Sequence, residues 1–225
     1  MIGLKILKRR RAVPADLAAR FIGLPVANVS DCMSRLFAGG ARLRPMHNGR
    51  PMSGPALTVR TRPGDNLMVH KALHLAAPGD VIVVDAGGDL TNALIGELMV
   101  ATAISRKLGG FVINGAIRDA RALREGDFPV FAAGVTHRGP YKDGPGEINV
   151  PIAIDGMVIE PGDLVIGDDD GVLCVPFAQA EALHAATVAK SQAEAQMVAA
   201  IHAGKVDTAW IDATLARLGC EIEPD

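Results

Sequence analysis

A chain of 225 residues can bury roughly 70–75% of its unfolded surface in one core, so neither disulfides nor a structural metal are needed for folding. Its residues are 49% hydrophobic but only 4% aromatic, and its net charge is −2; this suits buried strands alternating with alanine-rich helices and argues against a base-stacking nucleic-acid surface. Cys32, Cys174 and Cys220 are too few and too scattered for a disulfide framework or a CxxC metal site, which points to a reducing cytoplasm.

The N-terminus carries Lys8-Arg9-Arg10-Arg11 with no apolar run or small-residue cleavage site after it, so it reads as a solvated, partly ordered basic arm over about residues 1–13 rather than a signal peptide, with contact to nucleic acid or an acidic partner as the alternative. No window reaches the roughly 18 apolar residues of a membrane span. Pro14 to Phe21 has the spacing of a short amphipathic helix. A second helix is expected over Asn28 to Leu36, with Asn28 or Ser30 as its N-cap and Asp31 as a capping acid in the first turn. Pro51 to Thr61 alternates apolar and polar residues, as a half-buried strand does.

Pro63-Gly64-Asp65 ends that strand and Asn66 opens a helix to about Ala77, on which His70 and His74 stand four apart. That spacing also occurs in two-histidine metal sites, but no glutamate follows His70 and no third ligand is spaced to join them, so both read as partly exposed helix residues. Pro-Gly-Asp recurs at 78–80 and 161–163, each time as a turn before a strand.

Val81 to Asp119 is the part around which the chain is organised. An apolar run, Val81 to Val84, meets Asp85-Ala86-Gly87-Gly88. A helical pattern follows from about Asn92 to Lys107, then a second apolar run, Phe111 to Ile113, leads into Asn114-Gly115-Ala116-Ile117-Arg118-Asp119. This order predicts parallel strands whose C-terminal loops lie on one side of the sheet, where open α/β folds bind ligands, so Glu97, Arg118 and Asp119 are expected to share one pocket. A hard divalent cation takes oxygen ligands and keeps several waters, Arg118 can fork onto a carboxylate or oxyanion, and the amides around Leu98 and Met99 suit an anion; together these describe a site for a small α-keto carboxylate, while by spacing alone a plain surface ion pair is the default reading of Arg118-Asp119.

Beyond Asp119 the pattern gives a short helix over Ala120 to Glu125 and a strand over Phe128 to Val135. Then comes a polar loop, Thr136 to Asn149, long enough to be a lid or a subunit contact, with a plain surface excursion as the alternative. Short strands follow at Pro151 to Ile159, turning at Asp155-Gly156, at Leu164 to Ile166 and at Gly171 to Val175. Asp168-Asp169-Asp170-Gly171 lacks the ligand alternation of a calcium loop and reads as a hairpin turn. Helical periodicity closes the chain, over Phe177 to about Ala203, with Glu194 on it, and over Asp207 to Leu218. No linker divides the chain.

The runs Gly96-Glu97-Leu98-Met99, Gly110 to Asp119 and Gly134 to Pro151 (GVTHRGPYKDGPGEINVP) resemble the 4-hydroxy-4-methyl-2-oxoglutarate / 4-carboxy-4-hydroxy-2-oxoadipate aldolase family, whose fold is shared with the regulator of ribonuclease E activity A. Val29-Ser30-Asp31, Gly167-Asp168 and Asp170-Gly171-Val172 also fit. The resemblance implies a layered β/β/α single domain and a class II pyruvate aldolase dependent on Mg²⁺ or Mn²⁺, assembled as a homotrimer or homohexamer, with oxaloacetate decarboxylation as a side activity. It assigns Asp119 to the metal, Arg118 to the keto oxygen and enolate, and Gly96, Glu97, Leu98 and Met99 to substrate and water. Glu194 is the residue that would reach the metal's water shell from a neighbouring subunit. One departure is Ala122, where these aldolases tend to carry an acid. The alternative within the same fold is a non-catalytic regulator that binds a ribonuclease. A methyltransferase is disfavoured for want of a glycine-rich nucleotide fingerprint, and nucleic-acid or membrane partners by charge and hydropathy.

Overall fold

In the computed structural model, which describes residues 3–36 and 40–222, the chain begins with an edge strand, β1 (Leu4–Ile6), and two short helices, α1 (Ala15–Arg20) and α2 (Val26–Cys32). A two-residue strand β2 (Arg44–Pro45) precedes the long β3 (Met52–Thr61), α3 (Leu67–Leu75), β4 (Val81–Asp85), β5 (Ala93–Ile95), α4 (Glu97–Ser105), β6 (Gly110–Ile117), α5 (Ala120–Glu125) and β7 (Val130–Val135). Five short strands follow: β8 (Gly146–Ile148), the hairpin β9 (Ile152–Ile154) and β10 (Met157–Ile159), and the hairpin β11 (Leu164–Asp168) and β12 (Gly171–Val175). The chain then forms α6 (Ala180–His202) and α7 (Ala209–Arg217). No described helix is long and apolar enough to cross a membrane.

Parallel pairing of β3, β4, β6 and β7 makes the middle of the main sheet. Alternation along each strand divides the core in two. Leu57, Val59, Ile82, Val84, Phe111 and Ile113 face α3, α4 and α5, while Ala56, Val81, Val83 and Val112 face the β9–β10 hairpin and the strands β11 and β12. Both faces are covered, which is why Val81 to Val84 is apolar without interruption. Outside β11 and β12, α1 and α2 add a third cluster through Leu17, Phe21, Val29, Leu164 and Leu173. The result is the expected layered β/β/α arrangement. By contacts the chain divides into Met1–Thr187, which holds this core, and Val188–Asp225, in which α7 has no buried residue.

Several local expectations change. β3 is buried along nearly its whole length rather than half-buried, because it lies inside the sheet between β4, β8 and β11. The helix expected from Asn92 starts only at Glu97: Ala93-Leu94-Ile95 pairs with β6 as β5, all three residues are buried, and Gly96 is extended. α2 begins after Pro25, a turn earlier than expected. Its first N–H, from Val26, donates to Asp168 Oδ2 at 2.9 Å, and Asp31 stands in the last turn, 2.7 Å from Arg35. Asp168 can reach because the β11–β12 turn is the expected hairpin.

The basic arm is exposed along most of its length but fastened at several points. β1 pairs in parallel with β8, Arg9 meets buried Asp80 at 2.7 Å, and Arg11 pairs with Glu160 and reaches buried Asp163 at 3.7 Å. Met1 and Ile2 of the arm lie outside the described residues. All three cysteines are free thiols, with Cys174 buried against Asp163, where burial and that carboxylate raise its pKa.

Candidate active site

The parallel pairing of β5 with β6 brings two strand ends together, with Ile95 opposite Ile117 and Arg118 N–H donating to Ile95 O at 3.0 Å. Each end leads into a helix. After β5 the chain passes through Gly96 into α4; after β6 it passes through Arg118 and Asp119 into α5. The Glu97 N–H, at the start of α4, donates to Asp119 Oδ2 at 3.0 Å, and Arg118 Nε lies 3.7 Å from the same oxygen. Asp119 holds the left-handed conformation, φ 58° and ψ 35°, a backbone state that a non-glycine residue keeps only where its surroundings impose it.

Gly96 makes the approach possible. A Cβ on it would overlap Asp119 Oδ2 and stand 2.9 Å from Arg118 Cγ. In the first turn of α4 the Met99 N–H is engaged by Gly96 O at 3.1 Å, which leaves the Leu98 N–H, among the described residues, without an acceptor in the chain. The amide offered to an anion is therefore that of Leu98 rather than Met99. Leu98 itself is 79% exposed.

Gly96, Leu98, Met99 and Arg118 line a cleft of about 310 Å³ whose other lining residues include Asn66, His70 and Lys142. Sequence reasoning had not placed those three in the site. His70 is half-buried, and burial first, then the charges of Lys142 and His74, lower its pKa below the ordinary histidine value. The loop from Thr136 is not free-standing: Tyr141 pairs with the Gly64–Asn66 segment, and Asp65, fully buried, accepts the N–H groups of Asp143 and Gly144 at 2.8 Å each. Its composition had suggested a lid, but a buried carboxylate holds it as a wall of the cleft.

The three residues expected to share a pocket are adjacent without all facing one space. Arg118 borders the main cleft and, with Asp119, Thr136 and His137, a neighbouring depression. Glu97 joins Asp119 through its backbone, while it borders a third depression together with Ala122. Glu194 belongs to the C-terminal unit and pairs there with Lys190 at 2.9 Å.

Asp119 is 40% exposed, and its Oδ1 accepts no hydrogen bond from the described residues. A hard cation that keeps most of its waters fits such a donor, since one or two carboxylates suffice for Mg²⁺. Among the described residues no three His, Cys, Asp or Glu side chains gather into a closed metal cage.

This site lies within the span, residues 26–174, matched by the model of the RraA-like family, described as Aldolase/RraA. The chain belongs to that family. A relative from Halalkalibacterium halodurans, named "Putative 4-hydroxy-4-methyl-2-oxoglutarate aldolase", is 43% identical over 74% of this chain and 79% of its own length. Among solved structures, RraA from Thermus thermophilis, described as an RNA-processing inhibitor, is 30% identical, with a TM-score of 0.62 over 68% of this chain and 92% of that one. An uncharacterized protein from Pseudomonas syringae pv. tomato is 26% identical, with a TM-score of 0.77 over 87% and 96% of the two chains. The cleft residues Asn66 to Lys142 all fall inside the RraA-like match, whereas Glu194 falls outside it.

Proposed function

We propose that this RraA-like protein is a divalent-metal-dependent class II aldolase that cleaves 4-hydroxy-4-methyl-2-oxoglutarate or 4-carboxy-4-hydroxy-2-oxoadipate to pyruvate and a second keto acid. The observation that carries the reading is the clamp of Glu97 N–H on Asp119 beside Arg118, at the mouth of a cleft with no acidic lining residue. The name of the Halalkalibacterium halodurans relative supports it.

Mg²⁺ or Mn²⁺ would be held by Asp119 and, when bound, supplies Lewis-acid stabilisation of the negative charge that develops on the keto oxygen. Leu98 N–H, at the positive end of α4, receives the 2-oxo acid's carboxylate. Arg118 donates to the keto oxygen and holds the charge it gains as the C3–C4 bond breaks to leave the pyruvate enolate. The C4 hydroxyl gives its proton to water in the cleft, since the Glu97 side chain borders the depression beside Ala122 instead, and protonation of C3 completes pyruvate. The same residues serve oxaloacetate decarboxylation, because that reaction passes through the same enolate.

The proposal extends to a cytoplasmic homotrimer or homohexamer in which a neighbouring copy covers exposed Leu98 and brings its own Glu194 toward the waters around Asp119. A lactate-dehydrogenase-coupled assay tests the reading. Pyruvate should be released from either hydroxy-keto diacid, disappear with a chelator and return with Mg²⁺ or Mn²⁺. No release from either diacid or from oxaloacetate would favour the second reading, a ribonuclease regulator, which the description of the Thermus thermophilis structure supports.

A further inference from the structure

Asn66 and His70 stand one turn apart at the start of α3, where His70 N–H donates to Asn66 O at 3.0 Å, and both border the cleft. Asn66 is 2% exposed. Its Nδ2 donates to Leu94 O at 2.8 Å, which fixes the amide because a carbonyl can only accept. Its Oδ1 is left buried with no donor from the protein, so it calls for an O–H or N–H rather than for another acceptor.

His70 is also uncommitted. Among the described residues neither of its ring nitrogens has a hydrogen-bond partner in the protein. Burial first, then the charge of Lys142 on the loop from Thr136 and that of His74 on its own helix, lower its pKa, so at neutral pH it is an uncharged imidazole with a lone pair to offer. Arg118 is the other cation bordering the cleft. Among the described residues no carboxylate borders it to hold an imidazolium, so a proton taken up there is readily passed on.

We propose that His70 is the final acceptor of the C4-hydroxyl proton, which reaches it through a water that donates to Asn66 Oδ1. This rests on the aldolase reading. The C4 hydroxyl gives its proton to that water, which passes one of its own to a His70 ring nitrogen. The electron pair of the O–H bond becomes the second bond of the new C4 carbonyl, and the pair of the broken C3–C4 bond passes into the enolate at Arg118. Lys142 favours the neutral ring, so the proton leaves His70 for solvent, and C3 takes one from water. Asn66 is a positioning residue in this scheme, because it acts only through the water.

The test compares pyruvate release from 4-hydroxy-4-methyl-2-oxoglutarate and from oxaloacetate, with Mg²⁺ present, by the full-length wild type, His70→Gln and Asn66→Leu. Cleavage requires a hydroxyl proton to be removed and decarboxylation does not, so oxaloacetate reads the fold and the rest of the site. Both variants should cleave the hydroxy-keto acid on the order of 100-fold more slowly, yet decarboxylate oxaloacetate within about 3-fold of the wild type. Wild-type cleavage should decline as the pH falls through the imidazole's pKa, below the ordinary 6.5, and the remainder in His70→Gln should not. The same pKa should appear in an NMR titration of the wild-type ring protons, in the signal that His70→Gln removes. Equal loss of the two reactions in either variant, unchanged cleavage, or an acid limb that persists in His70→Gln overturns the proposal. A wild type that releases pyruvate from neither substrate, or from oxaloacetate alone, fails before any variant is compared; the aldolase reading then falls, and His70's role with it.

Discussion

The Glu97 N–H and Asp119 Oδ2, 3.0 Å apart, join the start of one helix to the residue before another, and Gly96 is the position that lets them meet. Gly96 is extended, so its need for glycine is steric rather than conformational. Gly96→Ala should therefore leave the fold intact while pushing Asp119 and Arg118 off their positions. A displacement of this kind costs on the order of 100-fold in turnover. Pyruvate release measured beside a thermal melt checks this, with activity lost and the melting temperature nearly unchanged.

Asp119 combines charge, a hydrogen-bond acceptor and a left-handed backbone, and two replacements separate them. Asn tolerates that backbone and can still accept from Glu97 N–H, so Asp119→Asn should fold normally but lose Mn²⁺ affinity and on the order of 100-fold in pyruvate release, about 2.7 kcal/mol. Asp119→Ala should lose as much activity and also about 1–2 kcal/mol of stability through the missing acceptor and the strained φ. Calorimetric Mn²⁺ titration and urea unfolding of both variants distinguish the two effects.

The parallel β4–β6 core and the Arg118–Asp119 exit were legible because an uninterrupted apolar run and a glycine-bearing loop are local signals. β5 was not. Three small and aliphatic residues before a helix fit its periodicity, and only pairing with β6 makes them a strand. Lys142 and Asn66 stayed hidden for a different reason. They are 76 positions apart, and what joins them is the buried carboxylate of Asp65, whose role looked like that of any turn aspartate. The points that fasten the N-terminal arm were hidden likewise, since the partners of Arg9 and Arg11 lie far along the chain.

His70 gives the stability a pH dependence of known sign. Burial, Lys142 and His74 lower its pKa in the folded state, so as the pH falls past the ordinary value of 6.5 the unfolded chain takes up the proton first and stability declines until the folded imidazole also titrates. Above that value the contribution vanishes. His70→Gln removes it, so the wild type should lose more melting temperature than the variant between about pH 7 and pH 5. Parallel curves would show that the imidazole titrates alike in both states.

Arg9 differs from its neighbour Arg10 in having a buried partner. Asp80 is almost fully enclosed, with one oxygen on Arg9 at 2.7 Å and the other on the Ala77 N–H at 2.8 Å. Arg9→Met keeps the apolar stem but leaves a buried carboxylate without its counter-charge, which should cost about 2–4 kcal/mol. At this chain length each kcal/mol lowers the melting temperature by about 2–4 °C. Arg10→Met, on an exposed residue, should stay within about 0.5 kcal/mol. Adding Asp80→Asn to Arg9→Met removes the stranded charge while an amide oxygen can still accept from Ala77, so the double variant should be more stable than Arg9→Met alone. Salt separates the two explanations of the arm: a diffuse basic attraction weakens between about 0.05 and 0.5 M salt, whereas a pair this enclosed is screened little. Equal losses for Arg9→Met and Arg10→Met, both erased by salt, would mean that general charge rather than Asp80 holds the arm.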